Sequence, residues 1–524
     1  MNIIPTFYQN HASIPQNIAL QERIGENLAI RMHYPFGSPL NPKITCSSYT
    51  TLPSELYQEI APTPVEKPRV VKFNHDLATS LGIESVLSEE AISMYAGNLV
   101  PSPLKSIALA YAGHQFGHYV PLLGDGRAVL LGEIQDIANN RWDMQLKGSG
   151  RTRFSRTGDG RCPLSAALRE YIISEAMHGL GIATTRSLAI ITSEDRIYRQ
   201  NGLVPIGVLT RMAKGYLRVG SFQYAAHQEN SNLLKYLANY ALERHFPYLL
   251  NRTTPYLELF KAVVDSQASL IADWMGVGFI HGVMNTDNMA ISGETIDYGP
   301  CAFMDEFNEH CVFSSIDLSG RYAFNNQVPS AHWNLARFGD ALQPLVSAPE
   351  QLKEILDTFP ARFNYFWSKK IRDKLGLLEK NQETATLIER FIVLMQQHQP
   401  DFTNTFRQLA KAIDSEAHQD LLLTMLGNQP QSKQWITDWL FCITHQNIDI
   451  NKIKTNMNQV NPAYIPRNHL VEKAIQGCIE NDDHSFIDSL LTVICRPYHQ
   501  QENKDDLQCP PLPHERIHQT FCGT

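Results

Sequence analysis

The chain has 524 residues, 43% of them hydrophobic, with a formal net charge of −8 and an isoelectric point near 6.2. This length can bury large cores and, at about 150 residues per domain, predicts three or so domains; the acidic balance argues against the broad basic surface of a nucleic-acid-binding protein but leaves room for a local basic pocket. No apolar run approaches the roughly eighteen residues of a membrane helix, and Met1 to Gly25 lacks the basic start and apolar centre of a secretory signal. The expectation is therefore a cytoplasmic enzyme with neither nucleic-acid nor membrane partners. Nine cysteines, an odd number without metal-ligand spacing, read as mostly reduced and structural in a chain this long.

In chain order, the first hundred residues mix turns with short apolar runs, and Pro62 to Pro68 reads as an extended connector. They are expected to form an extension packed onto the downstream core. Arg127 to Ile134 is a strand-like apolar run, and Trp142 to Lys147 alternates with period two after the turn at Asn139-Asn140, which predicts a hairpin ending on a lysine. A glycine- and arginine-rich loop, Gly148 to Arg161, is suited to backbone contact with phosphate. Ser165 is expected to cap a helix over Ala166 to Met177, with Leu168, Tyr171, Ile172 and Ala176 on its apolar face, Glu170 within it, and Gly179 and Gly181 as the stop. Beyond Asp305 the chain reads as helical, with apolar stripes over Leu352 to Leu375, Thr384 to Gln397 and Asp420 to Leu426 and shorter segments to about Ile494.

The most telling stretch is His281 to Asn288, followed by Asp297-Tyr298-Gly299. In protein kinases a histidine lies two residues before the catalytic aspartate and seven before the metal-binding asparagine. His281 and Asn288 keep that spacing, but the base position is Val283, which accepts no proton. Either the chain binds nucleotide without catalysis or it uses ATP in a different geometry. Upstream, Leu122 to Ala128 stands where a glycine loop should join the first strands, Lys147 ends the next strand, and Glu170 lies on the following helix. A lysine held by a glutamate presents charge to phosphate, while amide and carboxylate oxygens suit a hard divalent metal. The predicted architecture is α+β: a protein-kinase-like bilobal fold with an amino-terminal extension over residues 1–100, an amino-terminal lobe over 101–225, an enlarged helical carboxy-terminal lobe over 226–500, and a tail over 501–524.

The stretches Tyr111 to Gly117, Leu123 to Ala128, Gln145 to Arg151, Arg169-Glu170-Tyr171, His281 to Met289 and Ile296 to Pro300 resemble the selenoprotein O family of protein adenylyltransferases, also called the YdiU family, across nearly the whole chain. The resemblance implies a pseudokinase that binds ATP flipped relative to kinases and transfers AMP to Ser, Thr or Tyr hydroxyls of proteins, redox proteins such as glutaredoxin among them. On matching motifs it assigns Lys147 to the phosphates, paired with Glu170. Gly124, Gly126, Arg127, Asp159 and Gly160 line the nucleotide, Arg211 and Arg218 hold the terminal phosphate, Asn288 and Asp297 coordinate Mg²⁺ or Mn²⁺, and Asp287 accepts the proton. It also places Cys522 where members carry selenocysteine or a cysteine that pairs with a thiol after Asp297; Cys301 and Cys311 lie in that segment, and the family position falls near Phe313. Ordinary phosphotransfer and an inactive ATP-binding regulator are the competing readings. His281 is expected to be structural, and His114 and His118 to be hydrogen-bonded core groups.

Overall fold

A computed structural model describes residues 44–521 apart from Ser85 and Asn201. Its centre is a seven-stranded antiparallel sheet built from β1 (Tyr57–Glu59), β2 (Arg69–Phe73), β3 (Ile107–Leu109), β6 (Ala128–Gln135), β7 (Arg141–Lys147), β8 (Arg186–Arg199) and β9 (Gly202–Ala213). The order across the sheet is β1-β3-β6-β7-β9-β8-β2, and a separate hairpin joins β4 (Gly113–Gln115) to β5 (His118–Val120). Residues that the sequence placed in an amino-terminal extension thus supply both edge strands.

The predicted hairpin is β6–β7, with Ala128 opposite Lys147 and Gln135 opposite Arg141. Strand alternation sends successive side chains to opposite faces. On β7, Met144 and Leu146 join Leu188, Ile191, Ile206 and Val208 in a core shared with α1 (His75–Leu81) and α2 (Glu89–Ala96). Asp143, Gln145 and Lys147 consequently face the other way, Lys147 towards α3 (Leu164–Gly179). One face of the sheet is therefore apolar packing, and the other carries the polar groups of the site.

Helix α3 differs from its predicted start. It begins at Leu164, its cap is Pro163 with no side-chain hydrogen bond, and Ser165 lies within the first turn. Proline favours a helix start because its φ is already set near the helical value and no N–H goes unused. Leu168, Tyr171, Ile172 and Ala176 are buried as expected, and Gly181 follows the helix with φ +73°.

The second half of the chain is helical. From α4 (Val219–Ala226), α5 (Asn232–His245) and α6 (Pro255–Gly276) it passes through the short pair β10 (Phe279–Ile280) and β11 (Ala302–Phe303) to α7 (Gln327–Leu342) and further helices ending at Ile494. The stripe read over Leu352 to Leu375 is two helices, Glu350–Asp357 and Phe359–Leu375. Pro360 explains the break, since its ring blocks the preceding turn and it donates no hydrogen bond. The other stripes correspond to Gln382–His398 and Glu416–Met425. No helix among the described residues is long and apolar enough to cross a membrane.

Behind the short β10–β11 pair, Arg467 is buried and bonded to Asp305 at 2.6 Å and to Asp401 at 2.8 and 3.1 Å. Removing one partner of a buried ion pair leaves a charge without compensation. Arg467→Ala is expected to destabilise the protein by roughly 3 kcal/mol, measured as a shift of the urea unfolding midpoint with unchanged slope. At the other end of the chain, Thr520 donates to the Phe313 carbonyl at 2.7 Å and accepts from Ser315 at 3.1 Å. Cys522, the candidate for a thiol pairing, lies outside the described residues.

Candidate active site

The site grows from the polar face of the sheet. Gln145 on β7 stands directly opposite Arg211 on β9, and the Gln145 side chain accepts a hydrogen bond from the Arg211 guanidinium. Two residues on, Lys147 Nζ reaches Glu170 Oε2 of α3 at 2.5 Å and Asp297 Oδ1 at 3.3 Å. Arg211 Nη1 bonds Asp297 Oδ1 at 2.7 Å and Glu170 Oε1 at 3.1 Å. Arg218, entering from the start of α4, gives Nη1 to Asp297 Oδ2 at 3.2 Å and to the Asp287 carbonyl at 2.8 Å, and its guanidinium lies 4.4 Å from the centre of the Tyr111 ring. Lys147, Glu170, Arg211 and Arg218 are all buried. Three cations thus face two directly paired carboxylates.

Asp297 is the hub. It adopts φ +59°, a left-handed conformation that aspartate tolerates better than most residues, and the tight turn delivers its carboxylate to the three cations. Burial pushes its pKa up, but Arg211, Lys147 and Arg218 outweigh burial and hold it well below the usual carboxylate range. Asp287 behaves in the opposite way. Burial raises it to about 6 against the pull of Arg218, and its Oδ1 is buried without a hydrogen-bond partner among the described residues.

The loop between β10 and Asp297 is held by its own side chains. His281 is fully buried, stacks on Trp274 with ring centres 5.3 Å apart, and has Nε2 at 2.9 Å from the Ile296 carbonyl. A carbonyl only accepts, so Nε2 carries the proton, and Nδ1 is left to accept from the Val283 amide at 3.4 Å. His281 is therefore structural, as expected. Asn288 Nδ2 donates to the Val283 carbonyl at 2.9 Å. The residue at the kinase base position serves the loop through its backbone.

The two glycine-rich loops are stitched together. Thr152 Oγ1 donates to the Asp125 carbonyl at 2.7 Å and Ser155 Oγ to the Gly126 carbonyl. Gly124 has φ +68°, and a Cβ there would lie 2.3 Å from the Phe154 ring; Gly160, at φ +72°, would clash with the Gly150 backbone at 2.2 Å. Any side chain would pry these loops apart. The Arg127 carbonyl accepts from the Gly148 amide at 2.6 Å, which ties it to the same turn.

Of the residues singled out from the sequence, Lys147, Glu170, Arg211, Arg218 and Asp297 converge in one network that reaches Asp287 through its carbonyl. Asp159 is not joined to it: its carboxylate is held by Arg199 at 2.7 and 3.0 Å, towards the β8–β9 hairpin. His114 is half-buried and bonded through Nδ1 to Gln223 at 2.8 Å, but His118 is exposed on β5, contrary to the core role expected for it. The reason is topological, because β4–β5 is a two-stranded hairpin outside the main sheet and one of its faces meets solvent. Sequence reasoning assigns no part to Gln145 or to the buried Asp125, whose Oδ2 accepts from Gln145 at 3.1 Å and from the Leu109 amide at 3.1 Å. A signal for Gln145 exists, since it shares strand parity with Lys147.

Among the described residues no group of three or more His, Cys, Asp or Glu side chains could hold a metal by itself. Asn288 and Asp297 would supply two hard oxygen donors, whose chemistry suits Mg²⁺ or Mn²⁺ if phosphates and water completed the shell. A cavity of about 460 Å³ lies elsewhere, between residues 305–313 and 510–518, and contains none of these groups.

A model of the family described as protein adenylyltransferase SelO matches residues 43–495. Curated relatives include a protein nucleotidyltransferase YdiU of Rhizobium etli (strain CIAT 652), 45% identical over 91% of this chain and 97% of its own. A second, from Brevibacillus brevis, is 47% identical with the same coverage of both chains. A third, from Rhodopseudomonas palustris (strain BisB5), is 45% identical over 94% of this chain and all of its own.

Proposed function

The chain belongs to the SelO family and is a nucleotidyltransferase, and from that premise we propose that it transfers AMP from ATP to Ser, Thr or Tyr hydroxyls of proteins. ATP lies reversed relative to kinases in a kinase-like cleft between an amino-terminal lobe, residues 101–225, and a helical lobe, 226–500. The described parts of the extension and the tail, residues 44–100 and 501–521, pack on this core, and the reaction runs in the cytoplasm, where redox proteins are among the acceptors.

One observation carries this reading. The carboxylate available to take a proton is Asp287, buried with an unpartnered oxygen beside the cation cluster, whereas the kinase base position is Val283. Lys147, Arg211 and Arg218 grip the phosphates, and the β- and γ-phosphates leave as pyrophosphate against the two guanidinium groups, which offer paired donors and stay charged. Gly124, Gly126, Arg127, Asp159 and Gly160 line the rest of the nucleotide. The acceptor oxygen attacks the α-phosphorus, the bond from that phosphorus to the β-bridging oxygen breaks, and the hydroxyl proton passes to Asp287. Asn288 and Asp297 would hold Mg²⁺ or Mn²⁺, which would supply neutralisation of phosphate charge. Positioning and charge compensation supply most of the acceleration, so a carboxylate raised to about 6 is an adequate base.

Incubation with acceptor protein and ATP labelled at the α- or γ-phosphate tests the proposal. Label transfer from the α-position alone is expected. Transfer of γ-label alone would mark ordinary phosphotransfer, and transfer of neither an inactive nucleotide-binding regulator.

A further inference from the structure

We propose that Arg321 is a docking residue for the acceptor protein, its guanidinium receiving an acidic side chain two to four residues away from the hydroxyl to be modified. The inference rests on the proposed transfer to a protein hydroxyl and deepens it by naming the kind of sequence that carries that hydroxyl. Arg321 stands in the segment between β11 and α7 as a cation without a counter-charge. No carboxylate pairs with its guanidinium among the described residues, and its Nε is buried without a hydrogen-bond partner there. Asp317, four residues earlier, is taken up by backbone: it accepts from the Arg321 amide at 2.9 Å and from the Tyr322 amide at 2.8 Å. Withdrawing part of a cation from water with no anion beside it is costly, and a ligand that brings the anion accounts for the arrangement.

The guanidinium lies flat against the turn of the β4–β5 hairpin, since a Cβ on Gly117 would stand 3.5 Å from its carbon and 3.6 Å from each Nη. The ring centre of Trp333, on α7, is 5.0 Å from the same carbon. Packing of this kind covers the faces of the planar group and leaves its edge. With Nε enclosed, the two Nη donors remain, and they form the fork that meets a carboxylate with two parallel hydrogen bonds. The neighbouring charges do not supply that carboxylate. Arg337 lies 5.2 Å from the centre of the same Trp333 ring and is itself paired with Asp340 at 3.0 Å, and the His114 ring is 5.1 Å from Trp333 on another side.

The hairpin sets how far this cation stands from the reaction. At its base a Cβ on Gly113 would meet Asp287 Oδ1 at 2.8 Å, and at its tip Gly117 meets Arg321. A strand rises about 3.3 Å per residue, so the two points are roughly 10 Å apart, the reach of about three residues of an extended acceptor segment. Both ends are tied to one loop. The His114 amide donates to Thr286 Oγ1 at 2.7 Å, the Phe116 amide to Asn285 Oδ1 at 3.0 Å, and Tyr322, next to Arg321, gives its Oη to the same Asn285 oxygen at 2.7 Å. The Arg321 carbonyl is held as well, by Ser330 Oγ at 3.1 Å. Arg321 therefore keeps a set distance from Asp287, which lets it act as a ruler for the acceptor sequence.

The test uses three fluorescein-labelled peptides with one central serine and Asp, Ala or Lys placed three residues to either side of it. Binding to the full chain is read by anisotropy, and transfer by α-label incorporation. The parent is expected to bind the Asp peptide roughly tenfold more tightly than the Ala peptide, a modest factor because the ion pair is half-exposed. Arg321→Gln should bring the two affinities together, and Arg321→Glu should turn the preference towards the Lys peptide; the glutamine variant carries the test if the glutamate variant fails to fold. In the transfer assay the preference should appear in KM for the peptide, with KM for ATP within about twofold of the parent. Equal binding of the three peptides by the parent, binding of none, an Arg321→Glu protein with the parent's preference, or a change confined to KM for ATP would overturn the docking role. The proposed reaction would then still stand on α-label transfer to acceptor protein. Selective, Arg321-dependent binding of the Asp peptide with no α-label moved to peptide or protein would overturn the reaction and leave the acidic docking site standing.

Discussion

Asp297→Asn is expected to reduce α-label transfer by roughly three orders of magnitude while the protein stays folded and binds nucleotide. The size reflects how many partners converge on one carboxylate: it meets Lys147, Arg211 and Arg218 and, in the proposed reaction, would be one of two oxygen donors to a divalent cation. Asparagine is the informative replacement, since it tolerates a φ of +59°, whereas alanine would add backbone strain of about 1–2 kcal/mol and mix stability with chemistry. An asparagine retains shape and one weak oxygen donor but no charge. Titration with a fluorescent ATP analogue should show nucleotide binding little weakened, because three cations then lack part of their counter-charge and still attract phosphate. An Asp297→Asn enzyme within tenfold of the parent would remove Asp297 from the reaction.

Arg211→Lys is the second large effect, expected to lower kcat/KM by roughly a thousandfold. The guanidinium spans three acceptors at once, Gln145, Glu170 and Asp297, and a single ammonium on a flexible stem cannot hold all three in register. Charge is retained in this variant, so the loss reports geometry. Because Gln145 also donates to Asp125, the substitution loosens a chain of buried polar contacts running from the first glycine loop to Asp297. The thermal unfolding midpoint should therefore fall by several degrees as well, and activity near the parent value would show that charge alone suffices.

Much of the site is legible in the amino-acid order. Strand alternation over Trp142 to Lys147 sets the face on which Lys147 lies, the capped apolar pattern after Ser165 puts Glu170 on the following helix, and the spacing of His281, Asn288 and Asp297 marks the loop. What the sequence conceals has physical causes. The first hundred residues look like an appendage because β1 and β2 are short edge strands whose partners, β3 and β8, lie far along the chain, and no local pattern encodes such pairing. The start of α3 departs from its expected position because proline at the boundary takes the part expected of a serine cap. The tie between the β4–β5 hairpin and the loop at Asn285 is hidden because Phe116 and Asn285, which it joins, lie 169 residues apart in the chain.

The knot of charge around Asp297 bears on how the two small partners of the reaction arrive. In the proposed reaction, phosphate oxygens approaching Lys147, Arg211 and Arg218 would compete with this carboxylate for the same donors, and a divalent ion drawn to the carboxylate would relieve that rivalry. Occupancy by one should therefore ease entry of the other, and by thermodynamic reciprocity the benefit is equal in both directions. Calorimetric titrations run in either order of addition would return the same coupling free energy.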